Sequence, residues 1–160
     1  MKSIVIALLI SSVCYSQTSL TGKWKPVFFS FDTYARGDIK ADTLFISDAL
    51  KENFKNDKDP AASEEMVKMV IEMLFKKMKE TQDEYFDTGK YTETNTRSGK
   101  ANGGTYIYNE KEGTLQRMQE PLNKKENFSV SWKNGQLVLS SDLGETNSPK
   151  GKMEIVYEKL

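Results

Sequence analysis

The part of the chain after Gln82 is a succession of short segments that are rich in β-forming residues and separated by turn residues. Short segments at regular spacing with turn signals between them are typical of antiparallel sheets. Strands that follow one another in sequence are then expected to be neighbours in space, as in a meander. We predict strands over 86–94, 104–109, 114–119, 126–133, 136–141 and 152–159.

One hairpin can be predicted in register, because Asn134-Gly135 is a strong two-residue turn signal between two alternating runs. A type I′ turn at this pair places the apolar side chains of both runs on one face and mostly polar side chains on the other. The predicted pairs are Lys133 with Gln136, Trp132 with Leu137, and Val130 with Leu139.

The stretch 22–31 is rich in aromatic residues and is predicted to be the first strand. Pro26 cannot donate a ladder hydrogen bond, which confines that part of the strand to an edge or a bulge. If the pleat is regular through Pro26, Trp24 and Phe28 lie on the same face of the strand.

A helical insertion is predicted at about 44–82, between the first strand and the others. A short helix fits 47–55, and a longer one begins with Ser63 as its cap and ends near Gln82. In the longer helix, apolar residues recur at three- and four-residue spacing, which is typical of an amphipathic helix. Its methionines include Met66, Met69 and Met73.

The fold class is therefore mainly β. Seven strands, or eight if 32–43 holds another, form an antiparallel sheet whose two edges need protection, and closure into an up-and-down barrel removes them. The first and last strands then meet, and the helices cover an open end. A sandwich with the helices on its rim is the alternative. We expect one domain over residues 17–160.

The first 16 residues have the composition of a cleavable export signal: Lys2, then an apolar run from Ile4 to Val13. The run is shorter than the roughly 20 residues of a transmembrane helix, so no transmembrane segment is expected. Ser11-Ser12-Val13 before Cys14 fits a lipid-anchor site poorly, so cleavage after Ser16 is favoured over anchoring. The protein is expected in the periplasm or outside the cell.

The composition excludes several classes of function. The chain has 23 basic and 23 acidic residues and no histidine, and Cys14 is its only cysteine. Nucleic acid is not expected as a partner, because no excess of positive charge is present. Without histidine or a mature cysteine, the common nucleophilic triads and zinc sites cannot be built. We expect no cofactor, no metal and no catalysis. If the protein were an enzyme, carboxylates such as Asp83, Glu84 and Asp87 would have to be its catalytic groups.

The chain resembles a secreted bacterial lipocalin-like domain of the calycin group. The matching segments are Leu20-Thr21-Gly22-Lys23-Trp24-Lys25, 85–92, 104–108, 136–139 and 153–157. The resemblance implies an antiparallel barrel in which Trp24 plugs the closed end, and in some relatives a cavity for a small apolar molecule. The helices at about 44–82 depart from the well-known eukaryotic pattern, in which the main helix follows the last strands.

Two functions follow from the sequence. The first is non-catalytic binding of a small hydrophobic or amphipathic ligand in the barrel, under a lid that carries Met66, Met69 and Met73. The alternative is a protein-interaction or inhibitor module with a filled barrel, which uses the helix or the loop 96–103. The candidate ligand-lining residues are aromatic: Phe28, Tyr91, Tyr106, Tyr108 and Trp132. The identity of a ligand or partner is not encoded in these patterns.

Overall fold

A computed structural model describes residues 19–143 and 151–160, apart from the side chain of residue 143. The predicted signal segment and Cys14 lie outside the described residues. None of the helices in the described ranges is long and apolar enough to cross a membrane. The elements in chain order are β1 (Gly22–Phe31), β2 (Ala35–Asp38), β3 (Thr43–Ile46), α1 (Ala49–Phe54), α2 (Pro60–Lys79), β4 (Thr81–Tyr85), β5 (Lys90–Asn95), β6 (Ala101–Asn109), β7 (Thr114–Glu120), β8 (Lys124–Lys133), β9 (Gln136–Leu143) and β10 (Gly151–Lys159).

Strands β1 and β4 to β10 close into an eight-stranded antiparallel barrel. The first part of β1 pairs with β4, and β1 also pairs with β10, so the first and last strands meet. The prediction of a mainly β chain with a closed barrel and a helical insertion is confirmed. The insertion also contains a hairpin, since β2 pairs with the second half of β1 and β3 pairs with β2.

A β-bulge in β1 changes which residues face the barrel interior. The pairing of β1 with β10 shifts register between Pro26 and Phe28. Trp24 therefore points inward before the bulge and Phe29 points inward after it, and both are almost fully buried. The expectation that Trp24 and Phe28 share a face is wrong, because the pleat is not regular through Pro26.

The hairpin at Asn134-Gly135 has the predicted register. Both turn residues have positive φ, 52° and 77°, as a type I′ turn requires. Trp132 pairs with Leu137, and the neighbouring pairs also match the prediction. Local turn chemistry was sufficient to fix this part of the barrel.

The segment 81–95 is a hairpin, whereas the sequence pattern predicted a helix ending near Gln82 and one strand over 86–94. Helix α2 ends at Lys79, and the chain enters β4 directly. Gly89, with φ of 75°, lies in the turn that leads into β5. β4 escaped prediction because two of its inward residues, Thr81 and Asp83, are polar and break the apolar alternation.

Helix α2 also begins earlier than predicted. The side chain of Asp59 accepts a hydrogen bond from the backbone N–H of Ala62 at 3.1 Å, and Pro60 occupies the first helical position. Ser63, the predicted cap, therefore lies inside the first turn.

The inner face of α2 joins the core of the barrel. Ile71, Phe75 and Met78 are buried in the same cluster as the inward residues of the barrel strands. The rings of Phe75 and Phe29 lie 6.0 Å apart. Gly37 makes this approach possible, because a Cβ there would lie 2.2 Å from the Phe29 ring.

Candidate functional site

A cluster of charged and aromatic side chains lies inside the barrel, where strands β4, β5, β7 and β8 contribute inward residues. Strand alternation places Leu115 and Arg117 of β7 on the inner face, and both are buried. Arg117 lies opposite Glu126 of β8 in the ladder. We call Asp83, Tyr85, Tyr91, Arg117, Glu126 and Phe128 the Arg117 cluster.

The guanidinium of Arg117 is held by three polar partners. Its Nη1 donates to Asp83 Oδ2 at 3.2 Å and to the Tyr85 hydroxyl at 3.3 Å. Its Nη2 donates to Glu126 Oε2 at 3.0 Å. Glu126 also accepts a hydrogen bond from Lys124 at 3.0 Å, so the carboxylate links the buried arginine to a lysine at the surface.

Two aromatic rings complete the surroundings of the guanidinium. The Cζ atom of Arg117 lies 5.1 Å from the centre of the Tyr91 ring and 4.7 Å from that of Phe128. Cation–π attraction at these distances offsets part of the cost of removing the charge from water. The ion pair with Asp83 offsets more, yet a buried pair of this kind is on balance weak evidence for stability.

Burial shifts the pKa values of the ionisable groups in the cluster. Burial raises the pKa of Asp83 to about 6, against the opposing effect of Arg117, while nearby Glu93 adds to the rise. Burial opposes the ionisation of Glu126, but Arg117 and Lys124 keep its pKa below the ordinary value. Near neutral pH, Asp83 is therefore close to the range in which it gains a proton.

Two polar atoms of the cluster are buried without a hydrogen-bond partner among the described residues. They are the Nε–H donor of Arg117 and the Oδ1 acceptor of Asp83, and the Tyr157 side chain is close enough to this carboxyl to lower the pKa of Asp83. Buried polar atoms are nearly always satisfied, and each one left unpaired costs about 1–3 kcal/mol. A buried water, or a bound polar group that offers the complementary pair, satisfies one donor and one acceptor in a single buried cluster.

Two surface pockets are lined in part by residues of the cluster. A groove of about 960 Å³ is lined by Glu126 and Phe128, together with Leu115 and Met153. It also touches residues from the outer face of β8, so it is a groove at the barrel wall and not an enclosed cavity. A second pocket of about 700 Å³ includes Tyr91 and Pro121.

Only two of the five predicted ligand-lining residues contact the Arg117 cluster. Tyr91 belongs to it, and the Tyr106 ring packs edge-on against Tyr85 with 5.2 Å between the ring centres. Tyr106 donates a hydrogen bond from its hydroxyl to the Phe86 carbonyl at 2.7 Å, and with Tyr108 it lines a third pocket of about 450 Å³. Trp132 packs on Trp24, and Phe28 is half-buried on the other face of β1.

Trp24 lies near one end of the barrel, where both its N–H group and its ring have partners. Its Nε1 donates to the Leu20 carbonyl at 2.7 Å, and its ring lies 5.6 Å from that of Trp132. The ammonium of Lys159 lies 5.4 Å from the Trp24 ring. The residue therefore has the surroundings of a plug: full burial, an aromatic neighbour and a paired N–H.

The predicted lid residues are on the outer face of α2. Met66, Met69 and Met73 are 66%, 56% and 57% exposed. The expectation that they cover the barrel is wrong, because Ile71, Phe75 and Met78 form the inner face of the helix instead.

The candidate carboxylates for catalysis are also separated. Asp83 is inside the barrel, Glu84 pairs with Lys23 on the outside at 3.8 Å, and Asp87 is exposed in a turn. Within 19–143 and 151–160, no group of three or more acidic, cysteine or histidine residues is arranged to hold a metal ion.

The sequence reasoning missed Arg117 and gave Asp83 only a minor role. A usable signal was present: Leu115 is an obvious core residue, and period-two alternation then places Arg117 on the same face. A charged residue at an inward strand position marks a site that packing alone does not explain.

The similarity between this chain and known proteins is low. No protein-family profile matches the chain, and no curated protein matches it in sequence. Among solved structures, the crystal structure of a DUF4847 family protein from Bacteroides vulgatus ATCC 8482 is similar, with a TM-score of 0.43 and 12% identity over 88% of this chain and 94% of that one.

Proposed function

We propose that this protein is an exported, lipocalin-like binding protein that holds a small amphipathic molecule at the Arg117 cluster, without catalysis. The observation that carries the proposal is the buried pair of unsatisfied atoms, Arg117 Nε and Asp83 Oδ1, beside a groove at the barrel wall. Strongly perturbed buried ionisable groups beside a pocket are typical of functional sites.

The chemistry of the cluster suggests the polar part of the ligand. Arg117 is already opposed by Asp83 and Glu126, and Glu126 is paired with Lys124. A ligand with a full charge would bury that charge without a counter-charge, which would greatly reduce the binding free energy. A neutral group with one donor and one acceptor, such as a hydroxyl or a carboxamide, satisfies both free atoms.

The groove suggests the apolar part. Leu115, Phe128 and Met153 are apolar residues of its lining. Phe128 and Glu126 are half-buried and lie between the groove and Arg117, so they are the side chains that would shift to admit the polar group. A molecule with an apolar body and a neutral polar end fits both parts.

The proposal can be tested with ligands of equal chain length and different charge: decanol or decanamide, decanoate, and decylammonium. We expect the neutral compounds to raise Tm by roughly 5–10 °C at a hundred-fold excess over Kd, and the charged ones to raise it much less. A shift of the same size for all three classes would contradict a site that selects a neutral group.

A variant pair gives the control for this experiment. Arg117→Met with Asp83→Leu removes the buried ions together, so the fold should be retained while the shift with neutral compounds is lost. Lys23→Met with Glu84→Leu makes the same kind of change to an exposed pair on the outside of β1 and β4. This second variant should retain the shift.

Binding of a partner protein through α2 is the second candidate function. It is favoured by the exposure of Met66, Met69, Val70 and Met73 on one face of this helix. A benzophenone crosslinker in place of Met69 should react with a partner, whereas one in place of Phe45, which is 64% exposed elsewhere, should not. Equal reaction from both positions would count against α2 as a specific surface.

A further inference from the structure

We propose that the apolar part of the ligand lies in a gap in the barrel wall between β8 and β9, so that the ligand enters and leaves through the side of the barrel. This inference rests on the proposed function, because it extends the site at the Arg117 cluster to the surface. It also narrows the class of ligand to neutral amphiphiles whose apolar part is a single chain that fits between two strands.

The ladder between β8 and β9 is incomplete. The two strands pair from the turn at Asn134-Gly135 as far as Ser129 and Ser140. Beyond this pair, residues 124–128 of β8 still pair with β7, and residues 141–143 of β9 still pair with β10. These two segments do not pair with each other. The two strands therefore separate here, and the wall has a gap among the described residues.

The groove of about 960 Å³ lies at this gap and reaches both sides of the wall. Its lining combines inward and outward side chains of the same two strands: Phe128 and Ser141 point inward, and Asn127 and Asp142 point outward. A groove that touches both faces of a strand passes around the edge of that strand. It connects the surface with Glu126, which belongs to the Arg117 cluster.

The gap leaves apolar surface accessible on inward-facing side chains. Phe128 of β8 and Met153 of β10 both line the groove, and Met153 lies opposite Ser141 in the ladder of β9 with β10. Both side chains pack against the core and are only partly buried. An apolar chain in the gap would cover them, and the burial of this surface favours binding. Phe128 also follows Glu126 by two residues, about 7 Å along the strand, so the chain and the polar group of one ligand reach both.

A second break in the wall shows how the fold fills such a gap. β1 pairs with β4 only over residues 22–24. The second half of β1 pairs with β2 instead, and Phe75 of α2 packs on Phe29 at 6.0 Å. The helical insertion therefore fills the space between β1 and β4. Between β8 and β9, no other strand of the part that the structure describes pairs with either separated segment.

The edge of β8 at the gap favours a ligand chain over an added peptide strand. The backbone N–H of Val130 donates to β7 at 2.7 Å, so alternation directs the backbone N–H and C=O of Asn127 toward the gap. An extended peptide would have to pair with these groups. Three consecutive charged residues, Lys124, Lys125 and Glu126, lie on this edge, and charges on an edge strand oppose the addition of another strand.

The position of the chain is tested with a photoreactive alkanol, a decanol that carries a diazirine at the end of its chain. Light should attach it to residues 124–129, residues 140–142 or Met153, and an excess of decanol should prevent the labelling. Labelling of α2 or of Trp24 instead, with the same competition, would overturn the gap as the place of the chain and leave the proposed function standing. No labelling that decanol prevents would overturn both.

Closure of the gap by a disulfide is an independent test. Continuation of the β8–β9 register places Asn127 opposite Asp142, so Asn127→Cys with Asp142→Cys would tie the separated segments together. Lys133→Cys with Gln136→Cys links the same strands where they are already paired, and it is the matched control. Both variants also carry Cys14→Ser, which removes the only native cysteine.

Oxidation of the first variant should raise Kd for decanol at least about ten-fold, because the displacement of two CH₂ groups from an apolar surface accounts for this factor. Reduction should restore Kd, and oxidation of the control should change it by less than about two-fold. A gap disulfide that forms, as shown by mass, and leaves Kd unchanged would overturn the inference but not the binding of decanol at the Arg117 cluster. If the disulfide does not form, the labelled position decides.

Discussion

Two neighbouring parts of the barrel interior differ in how their polar groups are satisfied: the Trp24 end and the Arg117 cluster, which meet where Trp24 pairs with Asp83 in the β1–β4 ladder. At the Trp24 end, the buried N–H is paired with Leu20, and the ring is packed against Trp132 and Lys159. In the Arg117 cluster, an arginine and a carboxylate are buried together, and each retains an unpaired polar atom. We expect the first arrangement to increase stability and the second to lower it relative to an apolar core.

The difference teaches where a binding function is to be sought. Apolar side chains could occupy the positions of the ions inside the barrel, since other inward positions hold Leu115, Leu137 and Leu139. Residues that reduce stability and persist in a core are expected at functional sites, where natural sequences depart from optimal packing. The following predictions test whether the two regions really differ in this way.

The largest effect is expected at the Trp24 end. Trp24→Ala should lower the free energy of unfolding by about 3–5 kcal/mol, because it leaves a cavity and an unfilled contact with Trp132. Urea denaturation measures this loss. Binding of the neutral amphiphile should persist in the folded fraction, and a loss below about 1 kcal/mol would show that Trp24 is not a plug.

A cycle of substitutions tests the cluster. Arg117→Met alone should lower the free energy of unfolding near neutral pH by about 3 kcal/mol or more, because Asp83 loses its counter-charge and must take up a proton that the unfolded chain does not bind. Adding Asp83→Leu should recover most of this loss, since an apolar pair of similar volume replaces the ions. If the double variant is as unstable as the sum of both single variants, the ion pair is a stabilising element and the comparison fails.

The pH dependence of stability provides a third test. The pKa of Asp83 is about 6 in the folded protein, above its ordinary value of 3.8. The folded state therefore binds more protons than the unfolded state between these values, and stability falls as pH rises through this window. Arg117, Glu93, Tyr157 and Lys77 are the charged or polar groups that act on this carboxyl.

The measurement compares the protein with Asp83→Asn, which cannot titrate. From about pH 4 to about pH 7, the stability of the protein relative to this variant should decrease by up to about 3 kcal/mol. An increase over the same range would mean that Arg117 dominates and that the pKa of Asp83 is lowered.

The smallest effects are expected at the two lysines beside the regions. Lys159→Met removes the cation above Trp24 and should cost no more than about 1 kcal/mol without changing binding. Lys124→Met removes one partner of Glu126 and should cost less than about 1 kcal/mol, because Lys124 is exposed to solvent and Arg117 still pairs with Glu126. Only the Lys124 variant should alter the selectivity among charged and neutral amphiphiles, measured by thermal shift.

Much of the fold followed from local patterns. The Asn134-Gly135 hairpin was predicted in register because turn conformation is encoded by two residues. The closure of β1 on β10 followed from the need to protect sheet edges. The bulge at Pro26 and the hairpin 81–95 were not predicted. The bulge changes which residues of β1 face the interior, and β4 has polar residues at its inward positions. Both features depend on contacts with distant parts of the chain.

The candidate site was predictable only in part. Tyr91 was expected on aromatic character, and it lies in the Arg117 cluster. Arg117 itself was missed, because charged residues at strand positions are usually assigned to the surface. Its inward position follows from Leu115 two residues earlier, but its pairing with Asp83 joins β7 to β4, which no local pattern reveals.

The central claim, that the Arg117 cluster holds a small molecule and the Trp24 end does not, is tested most directly by native mass spectrometry. The protein is purified without detergent, beside the Arg117→Met/Asp83→Leu variant and the Trp24→Phe variant. The claim predicts an additional mass of roughly a few hundred daltons that is released on unfolding, retained in Trp24→Phe and absent from the double variant. The same spectrum from the protein and the double variant, whether both carry the additional mass or neither does, would contradict it.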